Sequence, residues 1–389
     1  MPGVRPRILL TTDAVGGVWQ YSLDLASGFA ARGLEPVLAL MGPGPAPPAP
    51  FQVIETGLPL DWTAENAGEL RLATDRLRAL AEGMASVHLH APALVGDGQW
   101  PAPVVAVAHS CVATWWQAVR GGKLPADFAW RAKLAASGLH AADAVIAPTA
   151  AHADAVRNAY GSLSIEVIHN GRRPTPVTPG LDPGVQATED RRCRSMEPRA
   201  KPQGDCIWIR TPLPLAGEGA EEPAIRMAKS RGVLTAGRLW DEGKNIAALD
   251  HAAATLPIRA AGPVHGPNGA QIAPQHLALL GNLDAAGMAR AYAEASVFVS
   301  LARYEPFGLA VLEAAQAGLR LVLSDIPSFR ELWDGVALFV HDEQELVPTL
   351  RRALADGGDG GARERAQRYT VDRMVVGTLA VHRAAGAAI

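Results

Sequence analysis

Short apolar runs and helical patterns take turns along this chain, and that alternation restricts the fold more than any other feature. "RILLTTD" (7–13) reads as a buried strand. The next segment, "GGVWQYSLDLASGFAARG", places Val18, Tyr21, Leu25 and Phe29 at helical spacing and stops at Gly33. "PVLALMG", "ASVHLHAP", "PVVAVAHS", "DAVIAPTAA" and "IEVIHNG" continue the series, with helix-like segments between several of them. Strands covered on both faces lose the alternation of polar and apolar residues. These runs therefore predict a parallel sheet with helices on either side.

The pattern fails between Arg172 and Arg231, where proline, glycine and mixed charge crowd together without a sustained period. Such a stretch reads as a linker or insertion, disordered in large part. A second series opens at "GVLTAGR" and runs through "IRAAGPV", "LALLGNL", "SVFVSL", "RLVLSD" and "ALFVHD". The expected organisation is therefore a doubly wound domain over 1–171, a linker over 172–230 and a second doubly wound domain over 231–370. A helical segment over 371–389 ends the chain. With 389 residues and 48% apolar composition, the chain has material for two sizeable cores.

Bulk properties exclude some classes. A net charge of -3 without a dense basic stripe argues against nucleic acid as a partner. Cys111, Cys193 and Cys206 have no metal spacing and make no even-numbered framework, which suits a reducing compartment. No apolar run reaches the length of a spanning helix, and the first residues lack a signal-peptide pattern. A cytoplasmic protein is expected; peripheral membrane contact stays open, and oligomeric state is not readable.

In open parallel sheets, ligands bind beyond the carboxyl ends of the strands, so the residues after each strand carry the chemistry. Gly16 and Gly17 follow the first strand and lead into a helix. They make either a tight turn or a site where an anion approaches backbone N–H groups. Their spacing is not G-x-G-x-x-G, which weighs against a dehydrogenase-type dinucleotide fold. His109 ends "PVVAVAHS", as a hydrogen-bonding or proton-transferring group or as a structural histidine. Trp115 and Trp116, just downstream, are expected mainly in core packing.

Arg238 and Lys244 lie in the loop of "AGRLWDEGKN". They suit a diphosphate, or else pair with Asp241 and Glu242 of their own loop. In "YEPFGLAVLEAAQAG", Pro306 fits the first turn of a helix, with Glu305 before it and the N–H groups of Phe307, Gly308 and Leu309 facing a crevice. Glu313 has apolar neighbours on both sides, and a buried acid without a partner is costly. It therefore calls for a ligand or a fixed basic partner.

The combination of "GGVWQYSLDLA", "HS", "AGRLWDEGKN" and "YEPFGLAVLEAAQAG", in this order, resembles the retaining glycosyltransferases of family 4. The resemblance covers nearly the whole chain except about 173 to 230. It implies an α/β chain of GT-B architecture, with two Rossmann-like domains facing a cleft and a last helix crossing back to the first domain. It also implies roles. Arg238 and Lys244 would bind the diphosphate of a nucleotide sugar, and Glu305 would lie by the transferred sugar. Glu313 would accept from the ribose, while Phe307, Gly308 and Leu309 would offer amides. Gly16 and Gly17 would approach the donor phosphates and His109 the donor sugar.

The donor is thus a nucleotide-diphosphate sugar, acting as substrate with no separate cofactor. The acceptor is a sugar, a lipid-linked or a small molecule. Two cations and a helix start can stabilise a leaving diphosphate, and no D-x-D-like metal motif stands out, so metal-independent chemistry is expected. A nucleotide-sugar epimerase or hydrolase is the nearest alternative. A binding protein inactivated by the unusually long insertion is another.

Overall fold

The computed structural model describes residues 5–42, 46–174 and 232–389. The linker expected over 172–230 lies outside the described residues, apart from 172–174.

The first series gives β1 (Arg7–Asp13), α1 (Gly17–Ala30), β2 (Glu35–Met41), β3 (Gln52–Glu55), α2 (Ala67–Leu80), β4 (Ser86–Leu89) and β5 (Val104–Val107). It continues with α3 (Val112–Val119), α4 (Ala126–Ala141), β6 (Ala144–Ala147), α5 (Ala150–Tyr160) and β7 (Glu166–Val167). The second gives β8 (Val233–Ala236), α6 (Ile246–Ala253), β9 (Ile258–Ala261), β10 (Ala278–Gly281), α7 (Ala285–Ala293) and β11 (Val297–Ser300). After it come α8 (Leu309–Gln316), β12 (Arg320–Ser324), α9 (Pro327–Trp333), β13 (Leu338–Val340), α10 (Leu346–Asp356), α11 (Ala362–Ala366) and α12 (Val371–Ala384).

The strands form two sheets, ordered β3-β2-β1-β4-β5-β6-β7 and β10-β9-β8-β11-β12-β13. Every pairing between them is parallel. The expected pair of doubly wound domains is therefore present. Both sheets belong to one compact unit.

Strand order reverses between β1 and β4 in the first sheet and between β8 and β11 in the second. Loops diverge there to opposite faces of a sheet and leave a crevice. The motifs picked out above follow β1, β5, β8 and β11. Topology thus places them at, or one strand from, the two switch points.

The last helix, α12, packs on the first sheet. Its Val371, Met374, Val375 and Leu379 share a core with Ile8, Leu10, Tyr21, Leu25, Phe29 and Leu38. Thr370 caps it by accepting the Arg373 N–H at 3.2 Å, and Arg32 pairs with Asp372. The close approach to α1 is made at Gly28, where an added Cβ would stand 2.2 Å from Val375 Cγ2. No helix among the described residues is long and apolar enough to cross a membrane.

Candidate active site

Gly16 leaves β1 with φ 86 and ψ −146 and precedes the first turn of α1. A Cβ built there would lie 3.5 Å from Arg238 Cδ; one on Gly17 would lie 3.0 Å from Leu309 Cδ1. The start of α1 therefore meets both second-lobe motifs, the cationic loop and the start of α8. A side chain at either glycine would fill the gap between the lobes.

Arg238 donates through Nη2 to Asp241 Oδ2 at 2.9 Å, and its guanidinium sits 5.6 Å from the centroid of the Trp240 ring. Asp241 Oδ1 also accepts from the Gly243 N–H at 2.9 Å and from Trp115 Nε1 at 3.2 Å. One carboxylate thus fixes the cation, the loop that carries it and a helix of the first lobe. Lys244 Nζ donates to Glu305 Oε2, while Glu242 pairs with Arg120 at 2.6 Å. The acidic partners foreseen within this loop hold for Arg238 and not for Lys244. Trp115 and Trp116 are not core residues as expected: Trp115 makes the bond to Asp241, and Trp116 lines a cavity.

The helix expected to open at Pro306 opens instead at Leu309. Tertiary contacts take the carbonyls that a first turn would use: Ser328 Oγ donates to Glu305 O at 2.5 Å and Thr149 Oγ1 to Pro306 O at 2.9 Å. Gly308 then turns the chain with φ 90 and ψ 68, a left-handed conformation that glycine adopts readily. The unpaired N–H groups of α8 consequently begin at Leu309. Phe307 is buried, its ring 5.7 Å from that of Tyr369.

Glu313 has the basic partner that its apolar surroundings called for. Its Oε1 accepts from Arg172 Nε at 2.7 Å and its Oε2 from the Tyr292 hydroxyl at 3.0 Å. The same guanidinium donates through Nη1 to Asp24 of α1. The Asp24–Arg172–Glu313 triad ties the two lobes together, and with Tyr292 it gives each oxygen of the acid expected at the ribose one hydrogen bond.

His109 is brought to the first-lobe crevice, where it lines a cavity of about 80 Å³ with Thr12, Asp13, Asp61, His90 and Arg238. Its Nε2 lies 2.9 Å from His90 Nδ1, and Tyr21 stands edge-on at 4.7 Å between ring centroids. Burial, and next His152 nearby, lower the His109 pKa to about 3, so at neutral pH it is an uncharged hydrogen-bonding group. Burial raises Asp13 to about 6, against the Val15 N–H at 2.7 Å and the charge of Arg238, with Asp61 adding to the rise. Asp61 is likewise raised to about 6 by burial, against backbone hydrogen bonds and Arg131.

A larger cavity of about 560 Å³ is lined by Trp116, Leu124, His152, Tyr304, Glu305 and Pro306 among others. Thr114 Oγ1 and the Tyr304 hydroxyl meet at 2.8 Å in its wall.

Asp13, Asp61, His90 and Arg172 went unnoticed in the sequence reading. Asp13 and His90 could have been found, since both sit at the carboxyl end of an evident strand. Asp61 has no local pattern, and Arg172 fell on the edge of the presumed linker.

Two parallel sheets whose switch-point loops meet across glycine, arginine, lysine and glutamate make a two-lobed α/β chain of the kind expected for a glycosyltransferase. The family models agree. Residues 15–175 match Glycosyltransferase Family 4, and residues 230–356 match Glycosyl transferases group 1. The chain belongs to this family of glycosyltransferases, and its fold is GT-B.

Among solved structures it is similar to sucrose-phosphate synthase from Thermosynechococcus elongatus, at 17% identity and a TM-score of 0.70, over 97% of this chain and 98% of that one. It is also similar to HepE from Anabaena in complex with UDP and glucose, at 15% identity and a TM-score of 0.61, over 96% and 99% of the two chains. A third is WaaG, a glycosyltransferase involved in lipopolysaccharide biosynthesis, at 16% identity and a TM-score of 0.62, over 98% and 100%. Among curated protein sequences, none matches.

Proposed function

We propose that this glycosyltransferase moves a sugar, with retention and without a metal, from a nucleotide-diphosphate sugar to a hydroxyl acceptor. The observation that carries the reading is Arg238, held by Asp241 and facing Gly16 across the cleft, with the Lys244–Glu305 pair on the neighbouring loop. A diphosphate between α1, Arg238 and Lys244 would meet cations and unpaired amides just where negative charge builds up as it leaves. HepE was solved with UDP and glucose, which supports a nucleotide donor for this fold.

In the step itself the bond between the anomeric carbon and the diphosphate oxygen breaks, and the electron pair leaves with the phosphate. The acceptor oxygen enters from the same face, and its proton passes to the departing phosphate oxygen. Glu305, released in part from Lys244 when the diphosphate binds, accepts from the sugar's hydroxyls. No covalent glutamate intermediate is invoked, since the two-carboxylate spacing of glycosidases is a different arrangement. Glu313 would accept from a ribose hydroxyl with the lone pairs that Arg172 and Tyr292 leave free.

The test is thermal melting with UDP and other nucleoside diphosphates, followed by turnover of the nucleotide sugar whose diphosphate binds. A diphosphate bound only by the folded chain raises the melting point. Arg238→Ala and Lys244→Ala should each reduce turnover by about 100-fold or more while the fold persists. Turnover equal to that of the parent in either variant would sink the assignment.

A further inference from the structure

The two histidines at the first-lobe crevice form a chain whose proton positions follow from the hydrogen bonds. Ser22 Oγ donates its only hydrogen to the Val18 carbonyl at 2.8 Å. His90 Nε2, 3.1 Å from that oxygen, must then carry the proton and donate to it. A neutral imidazole has one N–H, so His90 Nδ1 is bare and accepts. His109 Nε2, 2.9 Å away, therefore donates to it. This leaves His109 with a bare Nδ1, a hydrogen-bond acceptor, as the one ring nitrogen not used within the chain.

The two carboxylates of the cavity have the same polarity. Neither Asp13 nor Asp61 has a salt-bridge partner among the described residues, and ionised carboxylates only accept. The Thr12 hydroxyl, on a residue 2% exposed, borders the cavity without a hydrogen-bond partner. Leu60, Trp62 and Leu94 supply the apolar wall. A ligand suited to these groups must bring several hydrogen-bond donors and no negative charge of its own.

We infer that this cavity binds the acceptor, and that the acceptor is an uncharged polyol or sugar rather than a phosphorylated or carboxylated one. The inference rests on the donor reading above, because Arg238 shares the cavity and must be taken by the donor diphosphate for the acceptor to meet only carboxylates and the imidazole. Hydroxyl groups supply the donors that Asp13, Asp61 and His109 Nδ1 require. The C–H faces of a sugar or cyclitol ring suit the apolar wall. A phosphate would face two carboxylates and gain no N–H from His109.

The experiment uses the full chain and saturation-transfer NMR with glucose, myo-inositol and glucose 6-phosphate as probes, at saturating UDP. Glucose or myo-inositol should bind, and glucose 6-phosphate at least ten-fold more weakly than glucose. Asp61→Asn, and separately Asp13→Asn, should weaken binding of the neutral probes about ten-fold; in Asp61→Asn, whose carboxylate does not act on Arg238, the melting-point shift produced by UDP stays that of the parent. Preference for the phosphate, binding of neither neutral probe, or neutral binding unmoved by both substitutions would overturn the inference. Should UDP produce no shift, the donor reading fails. The two aspartate variants are then compared on the protein alone, where the same loss of neutral binding is still required.

Discussion

Arg172 shows how much can hang on one side chain. It is mostly buried, and it satisfies two carboxylates, Asp24 from the first lobe and Glu313 from the second. Removing one member of such a group strands the others without counter-charge, a larger loss than the group's own net contribution. Arg172→Ala should lower unfolding stability by about 3 kcal/mol, read from the denaturant midpoint. Arg172→Lys should recover only part of it, because an ammonium cannot fork between two acids. A midpoint unchanged in Arg172→Ala would show that the triad contributes nothing. The need of Glu313 for a partner was legible in "LAVLEAAQ", because an acid amid apolar residues must be satisfied. Its identity was not, because Arg172 lies 141 positions away and the pairing exists only once both lobes are folded. For the same reason, the convergence of Asp13 with Asp61 and of His90 with His109 leaves no mark in local sequence.

At the scale of elements, α1 and α12 depend on a missing side chain. A methyl group at Gly28 would overlap Val375, and overpacking a core contact costs about 1–3 kcal/mol. Gly28→Ala should therefore destabilise the protein by about 2 kcal/mol despite the better helix propensity of alanine. Gly28→Ala combined with Val375→Ala should regain part of it. A single variant as stable as the parent in chemical denaturation would mean that α12 does not dock at this point. Interior strands such as β1, β4 and β5 were legible because burial on both faces makes each an unbroken apolar run. The edge strand β3 was missed, since its ends are exposed and its four residues "QVIE" carry no such run. The start of α8 was misplaced for another reason: proline before an apolar run signals a first turn, but the carbonyls of Glu305 and Pro306 had been claimed by Ser328 and Thr149.

For the whole molecule, buried imidazoles set the response to acid. His109 and His382 are lowered to about 3 and His152 to about 4, chiefly by burial, and His88 and His90 fall well below the usual value for the same cause. As pH drops below 6.5, the unfolded chain takes up protons that the folded one refuses, so stability is lost. Asp13 and Asp61 act in the opposite sense. Raised to about 6, they bind protons in the folded state before the unfolded one does, and they add stability as pH falls from about 6 towards 3.8. Five imidazoles outweigh two carboxyls, so the melting temperature should decline steadily from pH 7 to 4.5. His382→Gln should make that decline shallower. A flat or rising profile in differential scanning calorimetry would contradict the assignment of neutral buried rings.

The docking of α12 on the first sheet also bears on how the chain is made. The ribosome delivers β1 and α1 well before α12, yet the apolar flank they share with Val375 and Leu379 stays bare until that helix emerges. Nascent chains stalled before residue 371 should accordingly hold a half-dressed first lobe, vulnerable to chaperone capture, that closes up only once α12 has followed.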